Sequence, residues 1–485
     1  MTDLTERVYA LSRRAGLGSG PTRFVVLAAA VIGAFVVVAE VTDPMFAVQC
    51  LGLLAVGVAG IAVCSVYPQL IWHSFAIVLG ALPFMPLRGS GFPLIFLLAV
   101  GLYGCMLLNR PGTTSIHPIE VVFAVFMVLS LVSVLMTMRT GTDVNTFVKW
   151  AISAGVLFPL ARLGHDRLMV IGRSYVLGVI AGSLIAWASL LGAGGDQVLR
   201  LLGYAVTDGN LRYYVENGVA TTVRLAGPYV DPNLAGLFLS VGFFVALYVT
   251  RGPLRIIAIL VIGSAIAMTL SRAAMFSVVV AALLVIVLQP MPPRRRLGLI
   301  VGSISALLVA VALSPTLYRR LFSTGSTGDT GMTERADALN RFPRLMEGNW
   351  WFGMGWGRTE FFDTQWGYVV NYVANTPLLT MYRGGVLASF ALVAVLLVGI
   401  GLGVRSLQTG TYESGWIGAG FCGFALVAVQ VDFPIVTMPM ATILFSFFLA
   451  IVADSTRQRA RPDGPGARST DRTVATTADS RGESV

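Results

Sequence analysis

Charge is scarce in this chain. Asp, Glu, Lys and Arg make up 12% of its 485 residues, against roughly a quarter in soluble globular domains. With 56% hydrophobic residues and a mean hydropathy of +0.78, a water-surrounded enzyme fold is excluded and the chain reads as an all-α polytopic membrane protein. Lysine is nearly absent, Lys149 being the single one, so the formal net charge of +10 is carried by arginine. Most arginines stand between apolar runs, a pattern of membrane topology that excludes a nucleic-acid groove. Cysteine is limited to Cys50, Cys64, Cys105 and Cys422, all inside apolar runs. That excludes a disulfide framework and leaves no redox or zinc spacing.

What is present is a nearly continuous series of apolar windows. A helix needs about 20 apolar residues to cross the hydrocarbon. Windows near that length fall at 24–40, 46–66, 69–86, 92–108, 118–137, 146–162, 168–192, 233–250, 254–270, 273–289, 297–314, 376–404, 414–432 and 436–453. They predict about fourteen spans, most crowded between 69 and 108. Residues 1–23 are basic and no cleavage site follows, so the first window is expected to be a retained span and not a signal peptide.

Orientation follows from arginine in short links. Arg7, Arg13, Arg14 and Arg23 lead the first span, Arg251 and Arg255 follow the eighth, and Arg294, Arg295 and Arg296 follow the tenth. All fall on one side, which is expected to be cytoplasmic. The same alternation places the turn with Glu40 and Asp43, the 193–232 loop and the 315–375 loop outside, with both termini inside. Residues 24–453 form one membrane domain, and 454–485, polar and poor in apolar residues, are expected to be a disordered cytoplasmic tail.

A protein of this kind either moves a solute through intramembrane polar groups or works on a lipid-linked substrate at one face. The spans hold few ionisable groups: Glu120, Lys149 and Arg173 near span ends, and His73 within one. A proton-coupled carrier needs carboxylates or histidines near mid-membrane, and a flippase for lipid-linked oligosaccharide needs a cationic path. The outer loops are richer. In the first, Arg224 precedes Asp231, Pro232 and Asn233. Either Asp231 or Asn233 is placed to cap the helix that Pro232 opens, and a helix N-terminus beside a guanidinium favours an anion. Ser271 and Arg272 stand in a very short outer link, where a charge either pairs or snorkels to headgroups.

The second loop sets Arg319, Arg320, Arg335, Arg341, Arg344 and Arg358 against Asp329, Glu334, Asp337, Glu347, Glu360 and Asp363. A mere anchor to anionic lipid would be lopsidedly basic. Balanced charge with Trp350, Trp351, Trp356, Trp366, Tyr368 and Tyr372 suits a folded pocket for phosphate and sugar, although Trp is equally the residue of membrane interfaces.

Taken in order, these segments resemble the O-antigen ligase and O-antigen polymerase superfamily of membrane glycosyltransferases. The matching marks are Arg224 with Gly227 and Asp231-Pro232-Asn233, then Ser271-Arg272, then Thr333-Glu334-Arg335 before Gly353-Met354-Gly355-Trp356-Gly357, then Asn375-Thr376 before Gly384-Gly385. The resemblance implies a GT-C-like architecture and an undecaprenyl-diphosphate-linked glycan as substrate. It further implies a glycan or lipid acceptor, membrane lipids and chain-length regulators as partners, and inverting transfer without metal or cofactor. It places Arg224, Arg272 and Arg335 on the diphosphate. Asp231, Asn233, Ser271, Arg341, Arg344, Trp356 and Asn375 are the further substrate contacts. The acceptor base would be a loop carboxylate, Glu334 and Asp337 foremost, with Glu347, Glu360 and Asp363 also open. In the ligase branch a histidine precedes the last Asn; here it is Ala374, which favours the polymerase-like members. The alternative enzyme class uses polyprenyl-monophosphate sugars with a first-loop Asp, here Asp43.

Overall fold

The computed structural model describes residues 60, 63–87, 93–109, 115–205, 213–216, 219–313, 339–340, 342–357, 362–363, 368–369, 375–430, 436 and 438–457. The first expected span, most of the second, the Glu40 and Asp43 turn and residues 458–485 lie outside the described residues.

Every other expected window coincides with a helix or a pair of helices. In chain order these are α1 Pro68–Ala81, α2 Leu94–Leu108, α3 Pro118–Thr137, α4 Gly141–Ala154 with the short α5 Leu157–Ala161, and α6 His165–Leu190. After a short α7, Gly195–Leu201, come α8 Pro232–Val249, α9 Gly252–Met268, α10 Arg272–Leu288 and α11 Pro293–Leu313. The chain closes with α12 Thr376–Thr409, α13 Tyr412–Gln430 and α14 Pro439–Arg457. Among the described residues, 7 helices are long and apolar enough to cross a membrane. α1, α2, α9 and α10 are shorter apolar helices. The two long loops add two small antiparallel hairpins, Tyr213–Glu216 with Val219–Val223 and Phe362–Asp363 with Tyr368–Val369, which a purely helical expectation did not include.

Proline opens several of these helices at a position whose N–H would have no partner anyway; Pro118 and Pro232 are two. α3 is also closed by a capping box, in which His117 accepts from the first turn and Glu120 accepts from the His117 N–H at 2.8 Å. α8 is apolar on every face and sits at the centre. Phe421, Phe424, Phe445 and Phe448 interleave between α13 and α14.

α14 corrects one expectation. It runs to Arg457, past the boundary expected at Asp454. The polar residues that read as the start of a tail have partners instead: Asp454 takes a 2.6 Å bond from His165 Nδ1, and Arg457 bonds Glu120 at 3.0 Å and the Ala161 carbonyl at 2.7 Å.

Helix direction alternates, and bonds between helix ends sort the chain to two opposite ends of the bundle. At one end lie Glu120 with Arg162 and Arg457, His165 with Asp454, and Arg255 with Glu413. At the other end Tyr229 Oη donates to the Gly80 carbonyl, Arg224 to Thr269, and Asn375 to Val429. This is the segregation that arginine in the short links predicts.

Candidate functional site

The second of these ends carries Arg224, Asp231, Asn233, Ser271, Arg272, Trp356 and Asn375, described residues singled out from the sequence. After the Val219–Val223 strand the chain passes through Arg224, makes a single 3-10 turn at Gly227–Tyr229, and enters α8. Tyr229 fixes that turn: its buried hydroxyl donates to the Gly80 carbonyl at 2.8 Å, and burial raises its phenol so that it stays a donor. Asp231 is the α8 cap, its Oδ1 accepting from the N–H groups of Asn233 at 2.7 Å and Leu234 at 3.2 Å. Asn233 therefore does not cap; its Oδ1 accepts from Arg224 Nη2 at 2.8 Å.

The link between α9 and α10 meets this entrance directly. Leu225 N–H donates to the Met268 carbonyl at 3.0 Å and Arg224 Nε to the Thr269 carbonyl at 2.9 Å. Leu270 holds a left-handed φ of 52°, an uncommon geometry for a branched residue, with Ser271 N–H tied to Thr269 Oγ1 at 3.1 Å. Ser271 is 2% exposed and packs on α8 at Gly236, where a Cβ would lie 2.9 Å from the Ser271 Cβ. Only glycine permits this approach, and it brings the N-terminus of α10, headed by half-buried Arg272, to the N-terminus of α8. The guanidiniums of Arg224 and Arg272 and the N-terminus of α10 thus share one end of the bundle with the Asp231 carboxylate that already caps α8, and the remaining positive excess favours an anion with several oxygens.

A second assembly stands at the same end. The 353–357 turn docks on a break in α12: Met354 N–H donates to Tyr382 O at 2.7 Å and Gly355 N–H to Arg383 O. The break is at Gly385, φ 78° and ψ 178°, where a Cβ would fall 2.0 Å from the Trp351 carbonyl oxygen. Gly357 N–H donates to Asp143 Oδ1 at 2.9 Å, and Asp143 Oδ2 accepts from the N–H groups of Arg139 and Thr140 and from the Thr140 hydroxyl. The loop base is therefore clamped between α4 and α12.

Trp356 is placed differently from its sequence reading. It is 1% exposed, with its ring centroid 4.5 Å from Trp150 and 5.3 Å from Phe147. Its faces are covered by protein, so it anchors the turn and has no face left to stack on a sugar. Asn375 caps α12 through Leu378 N–H at 3.1 Å and bonds the Val429 carbonyl of α13, a bolt between two helices. Arg344 is exposed on the helical turn at 342–345, which rests through Phe342 and Met346 on Leu378, Met381 and Tyr382 of α12. Glu334, Arg335, Asp337 and Arg341 lie outside the described residues, as do Ala374 and Asp43.

Two residues here were not legible as site residues. Asp143 sits in a Thr-x-x-Asp pattern that signals a helix start but not the distant Gly357. Arg383, 5% exposed in a span, carries a signal of its own, since an arginine buried in an apolar helix is costly and marks function by default.

Residues 256–377 match the O-Antigen ligase family. The matched stretch runs from α9 through Asn375 and includes Ser271, Arg272 and the clamped loop; Arg224 and the α8 entrance lie just before it. The resemblance read from the motif order is borne out over that segment, which supports a role in O-antigen or polysaccharide assembly at a membrane. The chain matches no curated protein.

Proposed function

We propose that this protein is an inverting, metal-independent glycosyltransferase of the outer face of the cytoplasmic membrane, and that it polymerises or transfers a polyprenyl-diphosphate-linked glycan. The observation that carries the reading is the joint placement of Arg224 and Arg272 at the paired N-termini of α8 and α10. An acceptor hydroxyl attacks the anomeric carbon, the bond from that carbon to the diphosphate oxygen breaks, and polyprenyl diphosphate departs with the bonding electrons. Arg224 and Arg272, with Arg335 as a third guanidinium, neutralise the charge that grows on the leaving oxygen. The hydroxyl proton passes to a carboxylate of the second outer loop, Glu334 or Asp337.

Polymerisation is favoured over ligation. Ala374 stands where the ligase branch has its histidine, and His117 and His165 lie at the opposite end of the bundle, tied into the Glu120 and Asp454 contacts. His73 bonds Ser174 between α1 and α6. Mass spectrometry of lipid-linked glycans in a strain lacking the protein tests the reading. Single repeat units should accumulate. Accumulated full-length lipid-linked chains would make it a ligase, and an unchanged profile would remove the protein from this step.

A further inference from the structure

At the end of the bundle opposite Arg224, a cavity of about 580 Å³ opens between the beginnings of α9, α11 and α13, lined by Arg255, Arg295, Gly298, Leu299, Tyr412 and Glu413. Its volume is in the range of small-molecule sites. The charge around it is one-sided. Arg251, Arg255, Arg294, Arg295 and Arg296 belong to the elements that form it, and Glu413 is the acidic residue of the lining.

Glu413 does not fully satisfy its neighbour. Arg255 Nε donates to the Thr250 carbonyl at 2.8 Å, but its Nη2 is covered, makes no hydrogen bond and lies 3.5 Å from Glu413 Oε1. A buried guanidinium nitrogen with no hydrogen bond is costly even beside the Glu413 carboxylate, and Arg295, exposed at the mouth, adds a second cation to a lining whose one carboxylate is Glu413. An anion seated between them relieves both. The walls name its other part: Gly298 and Leu299 give an apolar side, and α11 continues away from the cavity with Val301, Ile304 and Leu308 exposed, a surface that acyl chains cover in a bilayer.

We propose that this cavity seats the phosphate of an anionic phospholipid, held by Arg255 and Arg295, with its acyl chains along α11. Basic pockets between membrane helices recognise such headgroups by charge and by the apolar wall together. The site is separate from the proposed diphosphate site and its occupant is a bulk lipid, not a substrate.

The test is native mass spectrometry of the full-length protein titrated with phosphatidylglycerol or phosphatidylcholine, with inorganic phosphate as the free-anion probe. Arg295→Ala leaves the fold untouched because the side chain is exposed; Arg255→Gln removes the buried charge and keeps a polar group of similar length. Arg167→Ala, an exposed cation over Trp72, is the control. The expected result is tighter binding of phosphatidylglycerol than of phosphatidylcholine, weakened roughly fivefold by either cavity variant and unchanged by Arg167→Ala. Equal binding of the two lipids, or wild-type phosphatidylglycerol affinity in Arg295→Ala, would overturn the proposal. Displacement of the lipid by inorganic phosphate at equal concentration would overturn it too, since the acyl chains would then contribute nothing.

Discussion

Arg224 donates from Nε to the backbone carbonyl of Thr269 across 2.9 Å, joining the loop before α8 to the turn before α10. A guanidinium held by its Nε presents the rest of its fork in one orientation. Asn233 takes a second nitrogen, Nη2, at 2.8 Å. Asn233→Ala should loosen that fork without removing its charge: KM for the lipid-linked donor rises several-fold while the thermal midpoint stays within a degree or two. Steady-state kinetics beside a melting curve separates the two, and unchanged kinetics would mean the Asn233 contact has no part in binding.

Much of this was legible in the sequence. Apolar windows and arginine in the short links are enough to place the long apolar helices and to sort their ends, because hydrocarbon allows few alternatives to a helix; α7, inside a segment that reads as loop, is not among them. The Pro232 helix start and the nearness of Arg224 to it were readable from local chemistry. What could not be read was long-range pairing: that Asp143 holds Gly357 and that Trp356 is buried against Trp150. A tryptophan in an outer loop has the same signature whether it faces sugar, headgroups or a core. Asp454 reads as the start of a polar tail for a similar reason, since its partner His165 is distant in sequence.

Asp143→Ala should leave several backbone donors without an acceptor and release the loop base from α4. The expected loss is about 2 kcal/mol or more of stability, seen as a lower thermal midpoint, with turnover falling as the loop drifts. Asp143→Asn, which keeps one acceptor oxygen, should lie between it and the wild type. Equal melting of all three proteins would show that the clamp contributes nothing.

Gly385→Ala should be among the most damaging single changes. Its backbone lies in a region occupied almost only by glycine, and the added methyl meets the Trp351 carbonyl oxygen at 2.0 Å. Membrane-inserted yield and melting should drop sharply. Gly401→Ala, in the same helix with open space around it, should be tolerated. Comparable yields for the two would contradict the docking of the 353–357 turn on this break.

The His117 imidazole caps α3 as an acceptor, and burial together with Arg457 and Arg405 holds its pKa down to about 4 from the usual 6.5. Because the folded value is the lower one, the unfolded chain takes up a proton that the native protein refuses. Stability is then complete above about 6.5 and declines as pH falls toward 4, by up to roughly 3 kcal/mol. Thermal midpoints across that window should fall for the wild type and fall less for His117→Gln. Parallel curves would assign the acid sensitivity to other groups.

The most direct measurement is turnover of a polyprenyl-diphosphate-linked glycan by the purified, membrane-reconstituted protein and its Arg224→Ala and Arg272→Ala variants, with Arg200→Ala, on the exposed side of α7, as the control. If the two arginines hold the diphosphate as it leaves, each alanine variant inserts and melts like the wild type yet loses on the order of a hundredfold in kcat/KM. The corresponding lysine variants should recover only part of it. Full turnover by both alanine variants would contradict the diphosphate site.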